Sequence, residues 1–98
     1  MSNMESKFDI GTFVGVLTEQ AVAKNLTERF IKRRKELKVS QKELAVRSGV
    51  SYASIRRFEG TGEISLSSLI SLANSIGLMS DFNQLFNHPV IINLKDFE

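Results

Sequence analysis

The sequence predicts an all-α fold of five helices, with a short N-terminal extension and a candidate C-terminal strand. Three observations carry that expectation. Residues Gln41 to Phe58, QKELAVRSGVSYASIRRF, read as two short helices meeting at a tight turn. On both sides of this window apolar residues recur at the i, i+3, i+4 spacing of a helix with one buried face. The chain also has a single proline, Pro89, and one Gly-rich link, Gly60-Thr61-Gly62-Glu63.

Taken in order, residues 1–17 form a polar tail or short extension. Ile10, Phe13, Val14 and Leu17 suit an amphipathic helix after Asp9, although Gly11, Gly15 and the β-branched residues also allow a strand. Thr18 caps a long helix running to about Leu37. Its buried stripe is Ala23, Leu26, Phe30 and Leu37, with Lys32, Arg33 and Lys35 pointing out. Leu37-Lys38-Val39 forms the exit, and Val39 fills the space before the next helix.

The central window follows. Ser40 and Glu43 form the S-x-x-E capping box that starts a helix by satisfying its first amides. Ala45 is small enough for a second helix to approach, and Gly49 sits where the chain must turn left-handed. Val50 plugs the turn, Ser51 caps the next helix, and Ile55 and Phe58 face inward. The helices span about Gln41 to Ser48 and Tyr52 to Glu59. Small residue, Gly and apolar anchors in this order make a helix-turn-helix, whose second helix lies in the DNA major groove.

Gly60 to Glu63 then reads as the loop leaving that helix. Ser65 caps a fourth helix with an apolar face of Leu66, Leu69, Ile70, Leu72, Ala73 and Ile76, stopped at Gly77. Ser80 or Asp81 caps a fifth, with Phe82, Leu85 and Phe86 inward, ended by His88-Pro89. Val90-Ile91-Ile92-Asn93-Leu94 is short, β-branched and apolar, and reads as a strand. One strand is unstable alone. It pairs with its copy in a second protomer, or it packs on its own domain. Residues 18–88 thus form the domain, and residues 89–98 a tail.

Charge agrees with the motif. Lys24 to Arg57 carries eleven basic and three acidic residues, so this segment is +8 within a chain of net charge +2. A basic segment coinciding with a helix-turn-helix is the footprint of a phosphate-binding face. No apolar run approaches the roughly 20 residues that span a bilayer, so a cytoplasmic protein is expected, nucleoid-associated when on DNA, with no membrane partner. There is no Cys, and His88 is the lone histidine. No phosphate loop, nucleophile elbow or ligand spacing appears. No catalytic residue, cofactor or metal is therefore expected, and an enzyme is not.

The run from about Leu26 to Phe86 resembles the Xre family of regulators, with the lambda-repressor-like fold. The residues that carry it are Arg34, Leu37, Ser40-Gln41, Glu43-Leu44-Ala45, Ser48-Gly49-Val50-Ser51, Ile55, Phe58-Glu59-Gly60, Leu66, Leu69, Leu72, Ala73 and Leu78. More narrowly, RRFEGTGEISLSSLISLANSIGL followed by DFNQLF looks like the HipB-type branch, antitoxin-regulators encoded beside a HipA-like kinase toxin. In that branch a C-terminal strand pairs between protomers.

The resemblance implies roles. Ser51, Tyr52, Ala53 and Arg57 face the bases. Gln41 and Ser54 meet phosphates, and the helix start at Gln41 also favours an anion. Arg34 and Glu59 form a structural pair joining the first long helix to the end of the recognition helix. Family members often carry two polar residues where this chain has Tyr52-Ala53, so hydrogen-bond readout rests on Arg57, whose fork matches the O6/N7 edge of guanine. Tyr52 presses on a thymine methyl, reaches a phosphate, or covers the turn; Ser51 is a cap, or a cap and a contact. Arg56, rotated about 100° from Arg57, serves the DNA backbone, as does Lys42.

The expected function is a repressor reading a palindromic operator in double-stranded DNA as a homodimer, either an antitoxin with a HipA-like toxin as partner or a prophage-type repressor. The rival is a protein-interaction module on the same fold, for which the basic run and Arg57 have no use.

Overall fold

The computed structural model describes residues 17–89, which form five helices: α1 (Glu19–Glu36), α2 (Gln41–Ser48), α3 (Tyr52–Thr61), α4 (Leu66–Ser75) and α5 (Met79–Asn83). The described residues contain no strand, as the all-α expectation required. The helix or strand expected around residues 10–17 and the strand at Val90 to Leu94 lie outside them, apart from Leu17, which is exposed.

α1 begins where extended Thr18 accepts a hydrogen bond from the Ala21 N–H at 3.1 Å, satisfying one orphan amide of the first turn. It ends with Arg33, Arg34 and Lys35, cations that suit the negative end of its dipole. Lys38 N–H then donates to the Lys35 carbonyl at 2.9 Å and Val39 N–H to the Arg34 carbonyl at 3.2 Å, with Lys38 left-handed at φ 59°. This paired stop swings Val39 into the core.

The face buried by α1 differs from the expected Ala23, Leu26, Phe30 and Leu37. It is Thr27, Phe30 and Arg34; Leu26 is half-buried, and Ala23 and Leu37 are exposed. Apolarity alone misjudged the stripe, because polar groups enter a core once they are paired. Thr27 donates its hydroxyl to the Ala23 carbonyl at 2.7 Å, and Arg34 finds Glu59.

α2 starts with the complete capping box. Glu43 N–H donates to Ser40 Oγ at 3.0 Å, and Ser40 N–H donates to Glu43 Oε1 at 2.9 Å. Gly49 stops it at φ 76°, a conformation that costs a residue with a Cβ about 1–2 kcal/mol. Ser51 then caps α3 by accepting the Ser54 N–H at 3.1 Å. α3 runs on through Gly60 and Thr61, which were expected in the loop, and stops at Gly62. In this last turn the Thr61 hydroxyl donates to the Arg57 carbonyl one turn back.

α4 is capped by Ser65 and buries Leu72 and Ala73, followed by Ile76. Leu66, expected on its apolar face, is 66% exposed on the first turn. α5 opens a residue or two before the expected caps, with Leu78 at its N-cap and no side-chain cap. It ends at Asn83, so Leu85 and Phe86 leave the helix and are exposed rather than inward; only Phe82 is half-buried.

The core collects residues from α1 to α4 and the segments that connect them, Phe30, Val39, Leu44, Val50, Ile55, Phe58, Leu72 and Ile76, while α5 adds no buried residue. Leu44, Ile55 and Leu72 are fully buried, each contributing about 1.5–3 kcal/mol by leaving water. Phe30 and Phe58 meet edge to face, ring centroids 5.3 Å apart. α3 is therefore clamped between α1 and α2, and its other side is left to solvent.

Candidate nucleic-acid interface

Anchoring α3 through Ile55 and Phe58 determines what its far side presents. With 3.6 residues per turn, the positions turned away are Tyr52, Ala53, Arg56 and Arg57, and all four are exposed. Ser51, just before the helix, is also exposed, and Ser54 is half-buried beside it. These serines are engaged with each other: Ser51 Oγ accepts the Ser54 N–H and donates to Ser54 Oγ at 2.8 Å.

The start of α2 lies alongside. Lys42 Nζ sits 5.7 Å from the centre of the Tyr52 ring, and the Arg56 guanidinium carbon is also 5.7 Å from it. Tyr52 thus holds two cations, one from each motif helix, by attraction to its π face; each is worth about 0.5–1 kcal/mol at an exposed site. The first amides of α2, on Gln41 and Lys42, have no acceptor within the helix. A helix start flanked by Lys42 and Arg56 favours an anion.

Behind this surface, Gln41 Nε2 donates to Glu59 Oε1 at 2.8 Å. The same carboxylate takes two bonds from Arg34, Nε to Oε2 at 2.7 Å and Nη2 to Oε1 at 2.8 Å, while Arg34 Nη1 donates to the Val39 carbonyl at 2.9 Å. Glu59 therefore joins α1, α2 and α3. The Gln41 side chain is thus held within the protein, and its backbone amide, at the first position of α2, has no acceptor in the helix. An open depression of about 550 Å³ lies here, edged by Lys35, Ser40, Gln41 and Arg56.

Arg57 has a different neighbour. Its Nη2 donates to Glu63 Oε1 at 2.6 Å, and both side chains are largely exposed. Neither Glu63 nor the Tyr52 cation cluster stands out from the sequence. The available signal for Glu63 is its place one residue after Gly62, which returns the chain toward the helix it has just left.

Among the described residues, no group of acidic or histidine side chains could hold a metal, and no helix is long and apolar enough to cross a membrane. The arrangement offers cations, hydroxyls and a helix start on one surface, which is recognition chemistry.

The family model for helix-turn-helix matches residues 30–79, just over half of the chain, from the second half of α1 to the start of α5. No curated protein and no solved structure matches the chain. The chain belongs to this Xre-like helix-turn-helix family.

Proposed function

We propose that this helix-turn-helix chain is a sequence-specific DNA-binding regulator of transcription, a repressor that inserts α3 into the major groove. The observation that carries the reading is the shared outward surface of α3 and the α2 start, where Lys42, Arg56 and Arg57 surround Tyr52 and Ala53. Ser51, Tyr52, Ala53 and Arg57 meet base edges. Gln41, Lys42, Ser54 and Arg56 meet phosphates, which position the protein without carrying sequence information. Two copies bind a palindrome with half-sites about 34 Å apart, or a multiple of that.

The experiment is fluorescence anisotropy of the full chain with its own promoter fragment and with scrambled DNA, across a salt series. Preference for the promoter, with affinity falling steeply as salt rises, is the expected result. Equal and weak binding to both fragments overturns the reading.

Within this function we favour an antitoxin of the HipB type, autorepressing its own gene and gripping a HipA-like kinase toxin. Support comes from the resemblance in the loop and the last two helices. A groove of about 240 Å³ lined by Leu26, Phe30, Leu69, Leu78, Phe82 and Leu85 also offers apolar surface for a protein partner. A kinase-like neighbouring gene whose product copurifies with the chain supports the antitoxin. Integrase or phage structural genes beside it favour a prophage repressor instead.

A further inference from the structure

Arg56 and Arg57 are consecutive, yet their surroundings are opposite. Arg56 lies over the Tyr52 ring, which Lys42 also approaches, and forms no ion pair among the described residues. Arg57 is met by a carboxylate, Glu63 Oε1, at 2.6 Å. The end of α3 is built to bring that carboxylate back. Thr61 Oγ1 donates to the Arg57 carbonyl at 2.7 Å and accepts the Glu63 N–H at 3.1 Å, bridging the arginine's own backbone to the residue that faces its side chain. Gly62 makes the turn at φ 81°, its N–H on the Phe58 carbonyl at 2.7 Å. A Cβ there would come within 3.4 Å of Thr27 Oγ1 on α1, so the turn is also seated against the domain.

A guanidinium carries five N–H donors in a rigid fork. Glu63 takes one Nη, which leaves the rest of the fork for a base edge and limits the rotamers that would send Arg57 to the nearest phosphate. The same carboxylate repels phosphates that approach out of register. We infer that Glu63 is a positioning residue that aims Arg57 at a base and thereby sets the specificity of α3. This rests on the DNA-reading function proposed above.

The test compares the full-length wild type with Glu63→Gln, Glu63→Ala, Arg57→Ala and the double variant Arg57→Ala/Glu63→Ala, on promoter and scrambled fragments. An exposed ion pair is worth little in isolation, so the expected narrowing of the promoter-to-scrambled ratio is about two- to fivefold for either Glu63 variant. It arises mainly from tighter binding to scrambled DNA. In the Arg57→Ala background, removing Glu63 is expected to leave the ratio where it was. In the free chain, the Arg57 Nε–H resonance is expected to move in Glu63→Ala while the thermal midpoint stays put. Equal tightening on both fragments, with the ratio unchanged, overturns the inference in favour of bare charge repulsion. So does a ratio that falls as far without Arg57 as with it. A wild type that binds both fragments alike fails at the first comparison, and overturns the DNA-reading function itself.

Discussion

Arg34 and Glu59 meet inside the domain as a two-pronged ion pair, 2.7 Å and 2.8 Å, with 9% and 7% of their side chains exposed. Removing either partner strands a charge in a place water barely reaches. Arg34→Ala and Glu59→Ala are each expected to lower unfolding free energy by about 3–5 kcal/mol, read from urea denaturation. Arg34→Lys should recover only part, since an ammonium cannot match the two-pronged geometry. Losses under 1 kcal/mol would show the pair to be dispensable.

Arg57→Ala is expected to cost about 1–3 kcal/mol on the promoter site and to relax preference at one base position of each half-site. Binding to a panel of single-base operator variants reads this directly. Uniform weakening across the panel would move Arg57 to the phosphates.

Lys42 and Arg56 behave differently if they serve the backbone. Lys42→Ala and Arg56→Ala should weaken promoter and scrambled DNA alike, each reducing the slope of log K against log salt by about 1. A change confined to the promoter would contradict that role.

Glu43 ties the capping box to pH. The Ser40 N–H hydrogen bond holds the Glu43 carboxyl below its ordinary range, aided by the Ser40 hydroxyl and the Arg47 charge and opposed by slight desolvation. Because the folded value is depressed, the stability it contributes is complete above the unfolded value and is lost as pH falls through the folded one. Thermal midpoints of wild type and Glu43→Gln should therefore differ at neutral pH and converge below the usual carboxylate range. A gap that stays constant through acid would exclude this linkage.

Lys38 holds φ 59° at the end of α1 without being a glycine. Lys38→Gly is expected to raise stability by up to about 1 kcal/mol, relief of left-handed strain exceeding the entropy glycine loses on folding. Denaturant midpoints measure it, and a drop would show that the lysine stem packs usefully.

What the sequence makes legible here is what is settled within a turn of chain. Thr18, Ser40, Ser51 and Ser65 each accept an amide three residues on, and Gly49 turns where the pattern demands it. The burial of Thr27 was not legible, and apolar spacing also missed Arg34; only the family resemblance paired it with Glu59, 25 residues away. Leu37 and Phe86 look like core residues, yet backbone geometry at Lys38 and at the short α5 leaves both exposed. The same division runs through the candidate interface. The outward face of α3 follows from Ile55 and Phe58, whereas the partners of Arg57 and Tyr52 depend on how a turn folds back and how two helices lie together.

Glu59 accepts from Arg34 and Gln41, and none of Tyr52, Ala53, Arg56 or Arg57 donates a hydrogen bond to that carboxylate. The part of α3 that holds the helix in place is thus separate from the part that faces outward. Under the DNA-reading function proposed above, substitutions at the outward positions would exchange one preferred sequence for another without loosening the domain. On that reading the architecture is a fixed handle with an interchangeable tip, and a few changes in a single helix would retarget it.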